Sequence, residues 1–163
     1  MTFERDAYLL MNDEDLSARC QISFAKGSGP GGQKRNKTSS LAKVELPELS
    51  LAASDCTERS QFCNRKNALK KLRMLIALNY RKQRTIAPER LECSLNAADY
   101  PLFAAQLLDI LDSCSFNHRA AADICGCSPT AILKKIGRDP ELWKFFQSKR
   151  DAMELPRLIL PGK

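Results

Sequence analysis

The sequence predicts an α+β fold: a small, mainly antiparallel sheet with a long basic helix and a protruding glycine-rich loop, followed by an all-α helical domain. Three observations carry this. Short stretches that alternate apolar and polar residues flank a loop holding four of the chain's seven glycines. A segment of helical periodicity rich in Lys and Arg comes next. The remainder repeats helical spacing, with capping residues between its segments. A length of 163 residues suits one domain or two small ones, and two are expected, at 1–85 and 86–163.

In chain order, Asn12 is placed to cap a short helix with Asp13, Glu14 and Asp15 in its first turn, at the positive helix end. Cys20, Ile22 and Phe24 then alternate with Gln21, Ser23 and Ala25, predicting a half-buried strand that leads into the glycine loop. Beyond the loop, Ala42, Val44 and Leu46 predict a second strand. Pro47-Glu48 predicts a turn, and Leu49, Leu51 and Ala53 a third strand paired with the second as a hairpin. Ser60 is a candidate N-cap for a helix reaching about Arg84, with Leu69, Leu72, Ile76 and Tyr80 facing the sheet. Lys66, Lys70, Arg73, Arg81 and Arg84 share another face. Thr85 to Glu89, around Pro88, reads as a linker. Helices are expected at Tyr100–Asp112, Phe116–Cys125, Pro129–Ile136 and Pro140–Met153. Ala122, Gly126 and Ile132 have helix-turn-helix spacing, with Ser128-Pro129 opening the second helix, but Lys135 falls where an apolar residue is usual. Trp143, Phe145 and Phe146 read as core or as a partner face.

Charge narrows the partner. The net charge is +7, and it belongs to the front half. Residues 17–44 carry six Lys/Arg and no acid, residues 59–84 carry nine and no acid, whereas 91–163 balance nine Lys/Arg against nine Asp/Glu. Two acid-free blocks in one half point to a polyanion there. No apolar run is long enough for a membrane span. The acidic start, with Glu4, Asp6, Asp13, Glu14 and Asp15, fits neither a mitochondrial presequence nor a signal peptide, so a cytoplasmic location is expected. Seven cysteines form no disulfide-scaffold pattern and are expected to be reduced. Cys114, His118, Cys125 and Cys127 match no common zinc spacing, and neither a metal nor a cofactor is expected.

The loop reads Gly27-Ser-Gly-Pro-Gly-Gly-Gln-Lys-Arg-Asn-Lys-Thr38. Gly31 and Gly32 free the backbone to approach a ligand closely, Gln33 stands at the tip, and Lys34, Arg35 and Lys37 can hold RNA phosphate. A phosphate-binding P-loop fails, because Gln33 stands where the essential lysine must be. A plain linker fits the Gly, Ser and Pro, but not a Gln followed by three cations. No Gly-x-Ser-x-Gly elbow exists, the one histidine is remote in sequence, and no carboxylate pair lies near the loop. Any bond breaking here must rest on backbone dipoles and positioning, which suits hydrolysis of an activated ester.

Ser28 to Gln33 with Asn36-Lys37-Thr38 resembles the Gly-Gly-Gln motif of class-I peptide-chain release factors and their rescue relatives. Glu58-Arg59-Ser60-Gln61 with Asn64-Arg65 is similar to a second block of that family, at the start of the helix closing its catalytic domain. The resemblance covers roughly residues 8–85. One departure is Lys34-Arg35, where many members have His-Val. The resemblance implies insertion of the loop into the ribosome's peptidyl-transferase centre, where water attacks the peptidyl-tRNA ester. It assigns catalysis to Gly31, Gly32 and the backbone N–H of Gln33, whose side chain is often N-methylated in the family by a methyltransferase. RNA contacts are expected at Lys34, Arg35, Lys37, Arg59, Arg65, Lys66, Lys70 and Arg73, and the partners are the ribosome's rRNA and peptidyl-tRNA. Codon readers carry further domains, and rescue hydrolases that sense an empty mRNA channel carry a strongly basic tail. With 163 residues leaving no room for codon-inspecting domains and Asp151–Lys163 not basic, codon-independent release by a monomer is expected, with ribosome recognition partly assigned to the helical domain. Two alternatives stay open: a non-catalytic ribosome- or RNA-binding module, and a helix-turn-helix nucleic-acid regulator. The helical half resembles an extension in a group of bacterial release-factor-like proteins.

Overall fold

The computed structural model describes residues 4–25 and 41–160. The glycine-rich loop therefore lies outside the described residues. Among these, the fold is α+β, with a three-stranded antiparallel sheet and seven α-helices. The chain divides into two compact units, Met1–Ile76 and Ala77–Lys163.

The first unit starts with two short helices, α1 (Arg5–Leu10) and α2 (Asp13–Arg19). Charge and composition alone do not predict α1. Asn12 caps α2 as expected, its Oδ1 accepting from the Asp15 N–H at 2.8 Å. Strands β1 (Gln21–Ala25), β2 (Leu41–Leu46) and β3 (Leu51–Asp55) pair in that order. Partners across an antiparallel ladder share a face. The register puts Ile22–Val44–Ala53 and Phe24–Ala42–Asp55 on one face, buried along β2 and β3, whereas the outer strand β1 is mostly exposed, Phe24 included, and is less buried than its alternation suggests. Ala42, Val44 and Leu46 on that face are fully buried. The hairpin closes through a 3₁₀ turn over Pro47–Leu49, with Ser50 in the left-handed region at φ 53°. Leu49 thus belongs to the turn and not, as its alternation suggested, to the strand.

Helix α3 (Gln61–Asn79) completes the unit. Ala68, Leu69, Leu72 and Ile76 on it are fully buried, matching the apolar spacing. Each such leucine contributes about 2 kcal/mol by leaving water. The helix stops at Asn79, five residues short of the expected Arg84. The cause is visible in the second unit. Buried Asp109 draws the backbone N–H of Lys82 (3.0 Å) and the Arg81 guanidinium (3.2 Å), and the chain leaves the helix to supply them. Arg84 donates to the carbonyls of Ile86 and Ala87.

The second unit is helical: α4 (Tyr100–Ser113), α5 (His118–Ile124), α6 (Pro129–Gly137) and α7 (Pro140–Ala152). All four expected helices are present, within two residues at most ends. Phe116 and Phe146 meet in the core at 6.2 Å, and Trp143 and Phe145 are half-buried. Residues 155–160 fold back on α6 and α7. Buried Arg150 donates to the carbonyls of Phe116 and Pro156, and Gln147 exchanges two hydrogen bonds with Leu158. The Leu160 side chain lies where a Cβ on Gly137 would sit, so a larger residue there would displace Leu160.

Candidate functional site

The site is built at one end of the sheet. Ala25 and Leu41, the described residues on either side of 26–40, are register partners at the end of the β1–β2 ladder. Gly31, Gly32, Gln33, Lys34, Arg35 and Lys37 all fall in this segment and lie outside the described residues. At the same end β3 stops, since its last residue, Asp55, pairs with Ala42 next to Leu41. A short connection then leads into α3. The stem of the glycine-rich segment and the start of the basic helix thus share one end of the first unit.

The connection is fixed by two buried polar groups. Asn64, 0 % exposed, brackets Glu58: its Oδ1 accepts from the Glu58 N–H at 2.8 Å and its amide donates to the Glu58 carbonyl at 2.9 Å. Burying a polar side chain is tolerable only with such pairing. Asn64 belongs to the second motif block, and its role is to hold the backbone. Ser60 caps the helix as the sequence predicts, accepting from the Cys63 N–H at 3.3 Å. Asp55 is the second anchor. It accepts from the Thr57 N–H and hydroxyl, from Asn67, and from Lys71 at 2.7 Å. Burial raises its pKa, but the Lys71 ammonium and the Thr57 donors outweigh that and hold the carboxyl at about 2.

With the backbone fixed, the cations sort into two sets. Arg59, Lys66 and Lys70 are exposed, Arg65 is half-buried, and none of the four has an acidic partner among the described residues. Phe62 stands among them, 55 % exposed, with the Arg65 guanidinium 5.5 Å and the Lys66 ammonium 4.6 Å from its ring centroid. Sequence reasoning passed over Phe62, although its i+3 and i+4 cations are a readable signal. Arg73 is turned away from that surface. It is buried, donating to Asp13 (2.7 Å) and to the Met11 carbonyl (2.7 Å). Its angular position on the helix is as expected, but the acidic first turn of α2 covers it. Arg81 and Arg84 lie beyond the helix end and do not extend the stripe.

In the second unit the candidate helix-turn-helix stretch forms two consecutive helices. Helices α5 and α6 meet through a turn with Gly126 at φ 61°, and Ser128 caps α6 by accepting from the Ala131 N–H at 3.2 Å. Lys135, odd at an apolar position, buries its stem and gives its ammonium to Glu92. Arg138 also reaches Glu92, at 3.5 Å. Burial, with Cys127 and Cys114 nearby, pushes the Cys125 thiol up to about 11. Among the described residues, no three His, Cys, Asp or Glu are grouped to hold a metal. No helix there is long and apolar enough to cross a membrane.

Comparison with known proteins gave one family. The RF-1 domain model matches residues 12–98, just over half of the chain. No curated protein and no solved structure matches it. The match opens at the Asn12 cap of α2, spans the sheet and α3, and takes in both motif blocks. The chain therefore belongs to the RF-1 domain family, the peptide chain release factor domain, and has a release-factor-like role in translation termination or rescue.

Proposed function

We propose that this chain hydrolyses the ester joining a nascent peptide to tRNA in the ribosome's peptidyl-transferase centre, without reading a codon. The observation that carries the reading is the shared end of the first unit: the Ala25–Leu41 stem of the Gly-Gly-Gln segment lies where the unpaired cations of α3 begin. RNA held by Arg59, Lys66 and Lys70 lies beside that stem. Gly31 and Gly32 permit close backbone approach, and the Gln33 N–H donates to the developing oxyanion or leaving oxygen. The Gln33 amide side chain admits water and excludes larger nucleophiles. Lys34, Arg35 and Lys37 brace the segment on ribosomal RNA or the tRNA end. The chemistry uses neither metal nor cofactor. Arg73, engaged with Asp13, serves the scaffold.

The second unit is a neutral helical body whose α6 cations are largely taken by Glu92, which leaves RNA binding to the first unit. The α5–α6 geometry favours a second reading of this unit as a duplex binder, and the same ion pairs weigh against it. The protein acts as a cytoplasmic monomer on the ribosome, with Gln33 a substrate for a methyltransferase. The test is release of labelled peptide from ribosomes carrying a stop codon, a sense codon or no codon. Equal release in all three is expected. Release only with a stop codon removes codon independence, and none above background removes hydrolysis. Gly32→Ala lowers release about 100-fold or more, and further than Gln33→Ala, whose backbone donor survives.

A further inference from the structure

We propose that the Phe62 ring is a stacking platform for one unpaired base of the RNA that α3 meets on the ribosome; this rests on the functional reading above. Phe62 is not needed inside. The inward positions of this end of α3 are Asn64, Ala68 and Leu69, all fully buried, while Phe62 stays 55 % exposed. A phenyl ring left more than half exposed forgoes part of the free energy of burial unless a partner covers it. The surroundings define what that is. Arg65 and Lys66 sit over the ring, Arg59 and Lys70 flank it in sequence, and residues 59–84 contain no acid. A nucleotide offers the complement of this set: a flat face for the ring and a phosphate for each cation. Bases within a duplex are already stacked, so the occupant is a looped or single-stranded nucleotide.

The platform is tested in the full chain by binding to ribosomes over a series of salt concentrations, with Phe62→Ala, Phe62→Leu, Phe62→Tyr and Phe62→Trp. Thermal melting checks that each variant is folded. Phe62→Ala is expected to weaken binding about 5- to 150-fold, the ~1–3 kcal/mol of one stacked base, with the salt slope unchanged. Tyr and Trp keep binding within about threefold, whereas Leu is as weak as Ala, because stacking needs a π-face. A benzophenone side chain at position 62 crosslinks to RNA. Unchanged binding in Phe62→Ala, full binding in Phe62→Leu, or a crosslink to a ribosomal protein overturns the platform. If wild-type chain binds ribosomes without releasing peptide, hydrolysis fails, but the binding series still decides the platform.

Discussion

Helices α3 and α6 both begin on a capping serine and both carry several cations, yet their charges are used differently. On α6, Glu92 takes Lys135 and Arg138, leaving Lys134 alone without an acidic partner among the described residues. Helix α3 itself contains no acid, and Arg59, Lys66 and Lys70 are exposed. The two starts are also held differently. Ser128 caps α6 at an exposed position, where water can replace it. The connection into α3 depends on Asn64, closed off from water. Position on a helix face tells little about a cation's task. What matters is whether an acid of the same chain already neutralises it, and Arg73 makes the point within α3 itself.

The comparison breaks most visibly through Asn64. Asn64→Ala removes both hydrogen bonds that the buried side chain makes to the Glu58 backbone and costs the first unit roughly 2 kcal/mol, measured by urea unfolding. Ser128→Ala costs only about 1 kcal/mol. Equal costs would mean that both starts are held in the same way.

Acid titration separates the two carboxylates that pair with lysine. Asp55, side chain 2 % exposed, is held at about 2, below its ordinary value. Its contribution is complete above the unfolded pKa of about 4 and is lost as pH falls through about 2, on the order of 2 kcal/mol. Asp55→Asn removes that acid limb from the stability–pH curve. Glu92, also lowered by Lys135 but largely exposed, adds no measurable limb, and Glu92→Gln leaves the curve unchanged.

The smallest effect sharpens the comparison most. Lys66→Gln and Lys70→Gln should each reduce the slope of log affinity against log salt for ribosome binding by about 1. Lys135→Gln and Arg138→Gln should leave it unchanged. A slope that falls equally with α6 substitutions would transfer RNA binding to the second unit.

Local pattern made much of this legible. The strands follow from alternation, and Asn12, Ser60, Ser128 and the prolines mark helix starts, because those signals act within a few residues. What stayed hidden depends on distant partners. The stop of α3 at Asn79 answers to Asp109, thirty residues on; Arg73 is claimed by Asp13, sixty residues back. Leu49 was misread because a 3₁₀ turn and a strand start share the same short alternation. Of the proposed site, the surface cations were readable from spacing. The Asn64 bracket and the exposure of Phe62 were not, since each is set by what covers the neighbouring turn.

The pairing of Ala25 with Leu41 has one more consequence. Since both ends of the intervening chain are anchored at one rung, residues can be added to or removed from it without sliding any strand against another. The sheet behaves as a socket and the segment between as a replaceable head. Selection on the length and sequence of that segment can therefore proceed without reopening how the scaffold folds.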